Sequence, residues 1–302
     1  MRSDIQSILC IVDFSALSLD GLKLGIVLKR RFNSNLLVFH AVNVAGDQVC
    51  GSDYAHNKPR QLSHLAQARK QMERLLTSAD GAVPLVVTGE PVEELVRLTS
   101  CRHVDLVIAP SRGISGFKRL YTGTIVERLV RRINCPVLIV RPPKKIPKSP
   151  EICLQQVVAG ITSDGQSKDI ICCAARISRY FDAHLHLVHI VEAPPDIENE
   201  PYEIAQQHLQ TSISQDLLAA ALTVNMQPDR VTTAVLTGTP GEVIDAYAAG
   251  IHAEMIVVGV RRTGILKKTL IGSTTEALLR HSPCCILTLP VEADFTSSSE
   301  TS

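Results

Sequence analysis

The sequence predicts an α/β protein in which one small, doubly wound domain with a parallel sheet occurs twice. Two observations carry that expectation. A single internal similarity runs through the chain at an offset of 149 residues, and each half alternates continuous apolar runs of strand length with apolar stripes at helical spacing. Size agrees, since 302 residues with 45% apolar side chains can furnish two cores.

The offset aligns landmark after landmark without an insertion between them. Phe32 maps onto Phe181, His40 onto His189, Gly89-Glu90-Pro91 onto Gly238-Thr239-Pro240, His103-Val104-Asp105 onto His252-Ala253-Glu254, Gly123-Thr124 onto Gly272-Ser273 and Cys135 onto Cys284. The expected organisation is domain 1 over 1–143, a linker over 144–150, domain 2 over 151–293 and a disordered polar tail over 294–302. Pro142, Pro143, Pro147 and Pro150 make the joint an extended spacer, because proline cannot donate to a sheet ladder.

Within the first half the expected strands are Ile8 to Val12, Leu36 to Val42, Leu85 to Val87, Leu106 to Ala109 and Val137 to Val140. Continuous rather than alternating hydrophobicity implies burial on both faces. Leu65, Ala68, Met72 and Leu75 form one helical stripe, and Ile125, Val126, Leu129, Val130 and Ile133 form another. Regular alternation of strand and helix requires right-handed crossovers, with helices covering both faces of a parallel sheet.

Several classes of function drop out on composition. Thirty-one Lys+Arg against thirty Asp+Glu leave a net charge of +1, without the basic footprint of a duplex-DNA binder. Six Phe, five Tyr and no Trp are too few to act as stacking platforms for single strands. No nucleic-acid partner is expected. Nor is a membrane partner, because no apolar run approaches the roughly 18 residues of a membrane span. At the N-terminus Asp4 precedes the apolar stretch, Asp13 interrupts it and no small-residue cleavage site follows, so export is not expected. Nine cysteines, without a C-x-x-C spacing and mostly inside expected strands or helices (Cys10, Cys101, Cys135, Cys172, Cys284), read as reduced thiols of a cytoplasmic protein. The adjacent pairs Cys172-Cys173 and Cys284-Cys285 read as buried packing positions.

In a doubly wound sheet the ligand crevice lies beyond the carboxyl ends of the strands. The residues expected there are Asp13 after the first strand, Ala41-Val42 after the second and Pro110-Ser111-Arg112-Gly113 after the fourth. The fourth loop runs on through Gly116 to Gly123-Thr124, which opens the last helix. A glycine-rich turn entering a helix N-terminus offers unpaired N–H groups and the positive dipole end to a phosphate. A turn or capping role stands beside the ligand role for Asp13, Gly123, Gly272 and the hydroxyls of Thr124 and Ser273. Lys118-Arg119 and Lys267-Lys268 read as a solvated basic rim.

On these residues the chain resembles the universal stress protein family, as a tandem member. Nucleotide-binding members of that family carry Gly-x2-Gly-x9-Gly-(Ser/Thr) after the fourth strand and an Asp after the first. The resemblance implies two five-stranded doubly wound domains of the adenine nucleotide alpha hydrolase-like, flavodoxin-like architecture. It also implies ATP, with magnesium, as ligand and a role in the stress response. The implied nucleotide-binding residues are Asp13, Val42, Arg112, Gly113, Gly116, Gly123 and Thr124, with a degenerate second site at Gly259, Gly272 and Ser273. Family members commonly pair through the last strand, which implies an intrachain pseudo-dimer through the strands Val137 to Val140 and Ile286 to Leu289, or a homodimer.

Both halves depart from the motif. Pro110 replaces the first glycine of the first half, adding a ring and removing a donor. In the second half Arg262 replaces the second glycine, and the position of Asp13 is taken by Thr162. Arg262 is expected to block the second pocket, with charge supplied to a phosphate as the alternative, and loss of the carboxylate makes magnesium support there less favourable. Arg112 and Arg261 occupy corresponding loop positions. His184, His186 and His189 do not form a metal set, since the first two share one strand face and the third takes the other. His40 and His189 read as framework residues, and Gly89-x-Pro91 and Gly238-x-Pro240 as turns into a helix.

Catalysis is not expected. The sequence has no Gly-x4-Gly-Lys-(Ser/Thr), no Gly-x-Ser-x-Gly and no carboxylate pair placed for acid/base work. Two functions remain open at this point: a regulatory protein that binds an adenine nucleotide in its N-terminal half, and a nucleotide-independent scaffold acting on a protein partner.

Overall fold

The protein was analysed as a computed structural model that describes residues 5–42, 54–77, 81–111, 122–142, 154–162, 167–191, 200–262 and 271–292. The chain divides into two compact units, the first ending at Arg141 and the second beginning at Pro142. The expected linker and tail lie outside the described residues.

The first unit comprises β1 (Ser7–Ile11), α1 (Ala16–Phe32), β2 (Asn35–Val42), α2 (Tyr54–Leu76), β3 (Val83–Thr88), α3 (Pro91–Cys101), β4 (Leu106–Pro110), α4 (Thr122–Arg132) and β5 (Val137–Val140). Its strands pair in parallel in the order β3-β2-β1-β4-β5. The second unit repeats this plan with β6 (Gln156–Ile161), α5 (Ser167–Phe181), β7 (His184–Val191), α6 (Glu200–Thr223), β8 (Val231–Thr237), α7 (Pro240–Gly250), β9 (Met255–Arg262), α8 (Ser273–His281) and β10 (Cys285–Glu292). Its order is β8-β7-β6-β9-β10, again parallel.

The apolar runs become the sheet interior: Ile8, Leu9, Leu36, Val38 and Val107 are fully buried, as are Val157, Val158, Leu185 and Ile256. Burial on both faces fails at β3, where Val83 and Pro84 are exposed and Leu85 to Val87 only half-buried. This strand is the sheet edge, and Pro84 there lacks the N–H that would recruit a further strand.

Local chemistry sets the ends of the elements. Ser15 caps α1 by accepting from the Ser18 N–H, and Asn33 closes the helix in the left-handed region at φ 53°. Asp182 repeats that closure at φ 54°. Gly89 and Gly238, at φ 145° and 138°, make the turns out of β3 and β8 and donate to the carbonyls of Val42 and Val191. Pro91 and Pro240 then open α3 and α7. A further repeated device was not expected. The Asp105 carboxylate accepts from the N–H groups of Gln6 and Ser7 (both 2.9 Å), and Glu254 does the same for Gln155 and Gln156 (3.0 and 2.8 Å). One acid per unit thus satisfies the backbone donors that open the central strand.

The two units pack by different means at equivalent places. In the first, α3 and α4 are tied by ion pairs of Arg132 with Glu93 and of Arg128 with Glu90 (3.3 Å). The second unit brings α7 against α8 through small residues, since a Cβ on Gly241 would stand 2.8 Å from that of Ala277. Cysteine burial is mixed: Cys10, Cys173 and Cys284 are buried, Cys135, Cys172 and Cys285 are partly exposed, and Cys101 is exposed at the end of α3. Burial pushes the Cys173 thiol up to about 12 and raises that of Cys10 further, which removes thiolate character from both.

Cys10 occupies the hollow left by Gly25 of α1, where an added Cβ would lie 2.3 Å from the Cys10 Sγ. At the equivalent places the second unit carries Ala159 and Ala174, both fully buried. Gly25→Ala alone is expected to cost about 1–3 kcal/mol through overpacking, and Cys10→Ala in the same chain to restore most of it. Denaturant unfolding of the two single variants and the double variant measures this coupling.

Candidate functional site

The strand order reverses beside β1 in the first unit and beside β6 in the second, the place where a doubly wound sheet is expected to admit a ligand. Parity along the strands assigns the faces. Cβ atoms placed at Gly21 and Gly25 of α1 would meet Ile108 of β4, so Ile108 and Pro110 face α1. In the second unit a Cβ at Gly160 of β6 would meet Ile244 of α7 at 3.0 Å. The alternate positions, which include Ala109 and Ser111, therefore face away from α1.

Asp13 follows the end of β1. Its Oδ1 accepts from the Ser15 N–H (3.0 Å) and from the Ser15 hydroxyl (2.5 Å), and its own N–H donates to the Ser18 Oγ (3.3 Å). One carboxylate oxygen thus builds the turn into α1. The other, Oδ2, is buried with no partner among the described residues. Phe14, the next residue, holds φ 62°, a conformation that costs a bulky L-residue about 1–2 kcal/mol. Its ring rests 4.7 Å from that of His40, whose Nδ1 donates to the Val12 carbonyl (2.7 Å). Such strain concentrates at ligand sites.

Val42 ends β2, and Pro110 ends β4 opposite Val140. The Ser111 N–H donates to the Val140 carbonyl (3.0 Å), while its Oγ is buried without a partner among the described residues. Arg112, Gly113 and Gly116 lie outside the described residues. Gly123 and Thr124 belong to the first turn of α4, which begins one residue earlier than expected, at Thr122. The Asp13-x-Ser15-x-x-Ser18 spacing was legible as a turn and cap signature, whereas nothing in the sequence marks Phe14 for positive φ.

In the second unit the equivalent place is built differently. The loop positions expected for Arg261 and Arg262 are strand: β9 continues beyond Gly259, pairing Val260, Arg261 and Arg262 with Pro290, Val291 and Glu292 of β10. Gly259 does not leave an open approach, because a Cβ there would stand 3.0 Å from Ile170 and 3.1 Å from Val291. Ile170 takes the place that Gly21 has in α1, so a large residue on the helix has been exchanged for the one on the strand. The Gly259 carbonyl accepts from the Thr275 hydroxyl of α8 (3.1 Å). Gly272 caps α8 with open space around it, and Ser273 is the first helical residue. Thr162 ends β6 without a carboxylate.

Fold and strand ends together define a duplicated, doubly wound α/β protein. The universal stress protein family model matches residues 4–141 and again 154–290. The chain belongs to the universal stress protein family, with two copies of its domain. It is 33% identical over 60 residues to a universal stress protein of Methanocaldococcus jannaschii, covering 20% of this chain and 35% of that protein. With one of Thermus aquaticus it shares 32% identity over 107 residues, 35% of this chain and 76% of the other. A solved universal stress protein of Archaeoglobus fulgidus superposes at a TM-score of 0.63 with 19% identity, covering 94% of this chain and 98% of its own. One of Pseudomonas aeruginosa, described as putative, gives 0.62 and 17% over 95% and 94%. These two show the shared fold.

The histidines of β7 are held within the framework. His189 Nδ1 donates to the Ile161 carbonyl (3.0 Å), as His40 does in the first unit. His184 Nε2 meets Thr232 (2.8 Å), and buried His186 bridges the Tyr247 hydroxyl (2.9 Å) and Gln156 Oε1 (2.8 Å). No group of three metal-ligating side chains occurs among the described residues. Burial, followed by the charge of neighbouring His184, brings the His186 imidazole down to about 4 from 6.5. The folded chain therefore disfavours the protonated form, so its stabilising contribution is complete above pH 6.5 and is lost as pH falls towards 4. Amide exchange in β7 and α7 is expected to accelerate over that window. His186→Leu, which copies Leu37 of the first unit, flattens the response.

Proposed function

We propose that the first unit binds an adenine nucleotide, ATP with magnesium, and that the chain is a non-catalytic regulatory protein of the stress response. The observation that carries this reading is the Asp13 carboxylate. One oxygen completes the turn, and the other is buried at the strand end with no donor among the described residues. An ionised oxygen in that state costs free energy until a donor arrives, and a nucleoside presents N–H and O–H donors. The start of α4 supplies the complementary end, where backbone N–H groups and the helix dipole favour phosphate. In this reading Gly113, Gly116, Gly123 and Thr124 attend the phosphates and Val42 lies beside the base. Magnesium enters on the phosphate oxygens, as it does where few protein carboxylates are offered.

The second unit supports a different use. Its ladder runs on to Arg262, past the place where the first unit leaves β4, and Thr162 stands where the first unit has Asp13. A role in contacts with a protein partner fits that half better than a second nucleotide site.

Titration of the full chain with Mg-ATP tests the first-unit reading. Ligand at 100 times its Kd adds about 2.7 kcal/mol of stability, visible as a rise in Tm. Asp13→Asn keeps an oxygen for Ser15 and turns the unpartnered acceptor into a donor. This variant is expected to fold normally and to lose at least about tenfold in affinity, and Gly123→Val to lose a similar factor. An unshifted wild type at millimolar Mg-ATP overturns the reading.

A further inference from the structure

We propose that Ser111 is a second ligand-contacting side chain of the first unit, donating its hydroxyl hydrogen to an acceptor on the molecule whose donor Asp13 takes. This inference rests on the nucleotide reading of that site and adds a recognition residue to it. Ser111 is 5% exposed, and its Oγ has no partner among the described residues. A hydroxyl buried in that state is destabilising, so an apolar side chain would serve the fold better. The second unit shows what the fold alone accepts: Val260, 2% exposed, occupies the same position. There β9 continues and pairs Val260 with Pro290. Strand geometry at this position therefore tolerates valine, and the first unit keeps a polar atom that its packing does not use.

Position links the serine to the site. The β1–β4 register runs Ile8 to Leu106, Leu9 to Val107 and Cys10 to Ile108. Carried past the strand ends, it sets Asp13 opposite Ser111. Ser111 extends the β4–β5 ladder through its N–H to Val140, which fixes its backbone, and parity turns its side chain away from α1. Two buried polar atoms, each without a partner among the described residues, thus stand at adjacent strand ends. One is an obligate acceptor and the other a hydroxyl able to donate. A ligand that presents a donor and an acceptor together satisfies both, and an adenine nucleotide carries such groups on its base, ribose and phosphates.

The test compares wild type, Ser111→Val, Ser111→Ala and Ser111→Thr as full-length chains, by thermal unfolding without ligand and by calorimetric titration with Mg-ATP. Ser111→Val and Ser111→Ala are expected to match or exceed wild-type Tm without ligand and to bind Mg-ATP about tenfold or more weakly. Ser111→Thr, which keeps the hydroxyl, is expected to stay within about threefold. Adenosine and inorganic triphosphate titrated separately locate the acceptor: the one whose affinity falls in Ser111→Ala carries it. Wild-type affinity in Ser111→Ala overturns the inference and leaves the nucleotide reading standing. A lower ligand-free Tm in both Ser111→Ala and Ser111→Val also overturns it, by making the hydroxyl structural. A wild type that binds no Mg-ATP removes both.

Discussion

The reversal of strand order at β1 is the constraint on which the rest of each unit depends. From β1 the chain moves outward to β2 and β3, then returns across the sheet to β4 and β5. Helices must leave the two central strands towards opposite faces, so the carboxyl ends of those strands stay uncovered by the connections that cap the others. Backbone and side-chain polar groups at that opening need partners from somewhere. The two units answer the same demand in different ways.

In the second unit the answer is internal. The β9–β10 ladder lengthens to Arg262 and Glu292, the Gly259 carbonyl receives Thr275, and Ile170 and Val291 cover the glycine. In the first unit the ladder ends with the Ser111 N–H on the Val140 carbonyl, and the strand ends keep Asp13 Oδ2 and Ser111 Oγ without partners among the described residues. Elsewhere the copies diverged by exchanges that conserve volume. Cys10 with Gly25 corresponds to Ala159 with Ala174, and Gly21 with Pro110 to Ile170 with Gly259. Cores tolerate such swaps when total volume is kept. The first unit was free to drift by the same route, so its retained polar atoms are not explained by packing.

The repeat, the strand and helix order and the place of the crevice were legible because they follow from periodicity and from an offset that survives substitution. Asp13 was legible as a candidate because it is polar at the end of an apolar run. Its division of labour was not, because only coordinates distinguish the oxygen that builds the turn from the one left over. The edge position of β3 escaped notice, since Leu85, Val86 and Val87 read identically in a central strand and at an edge. Arg261 and Arg262 looked like loop residues because they correspond to Arg112 and Gly113 of the loop after the fourth strand, yet pairing with β10 holds them in a strand. Asp105 and Glu254 were seen to correspond without their role being apparent, as an acid before a strand has many uses. Phe14 left no trace, because a bulky residue at positive φ contradicts local preference.

That contradiction bears on function. Local preference fails at Phe14, and polar satisfaction fails at Asp13 and Ser111, all within one small region of the first unit. At the corresponding strand end, β9, the second unit buries Val260 and extends its ladder. Sequences that fold well are consistent across levels, and the places where they are not are where something besides stability has been selected. Marginal stability makes several such costs in one region hard to retain without use. A duplicated domain contains its own control: at this strand end the second unit has valine and a longer ladder, where the first has polar atoms without partners among the described residues.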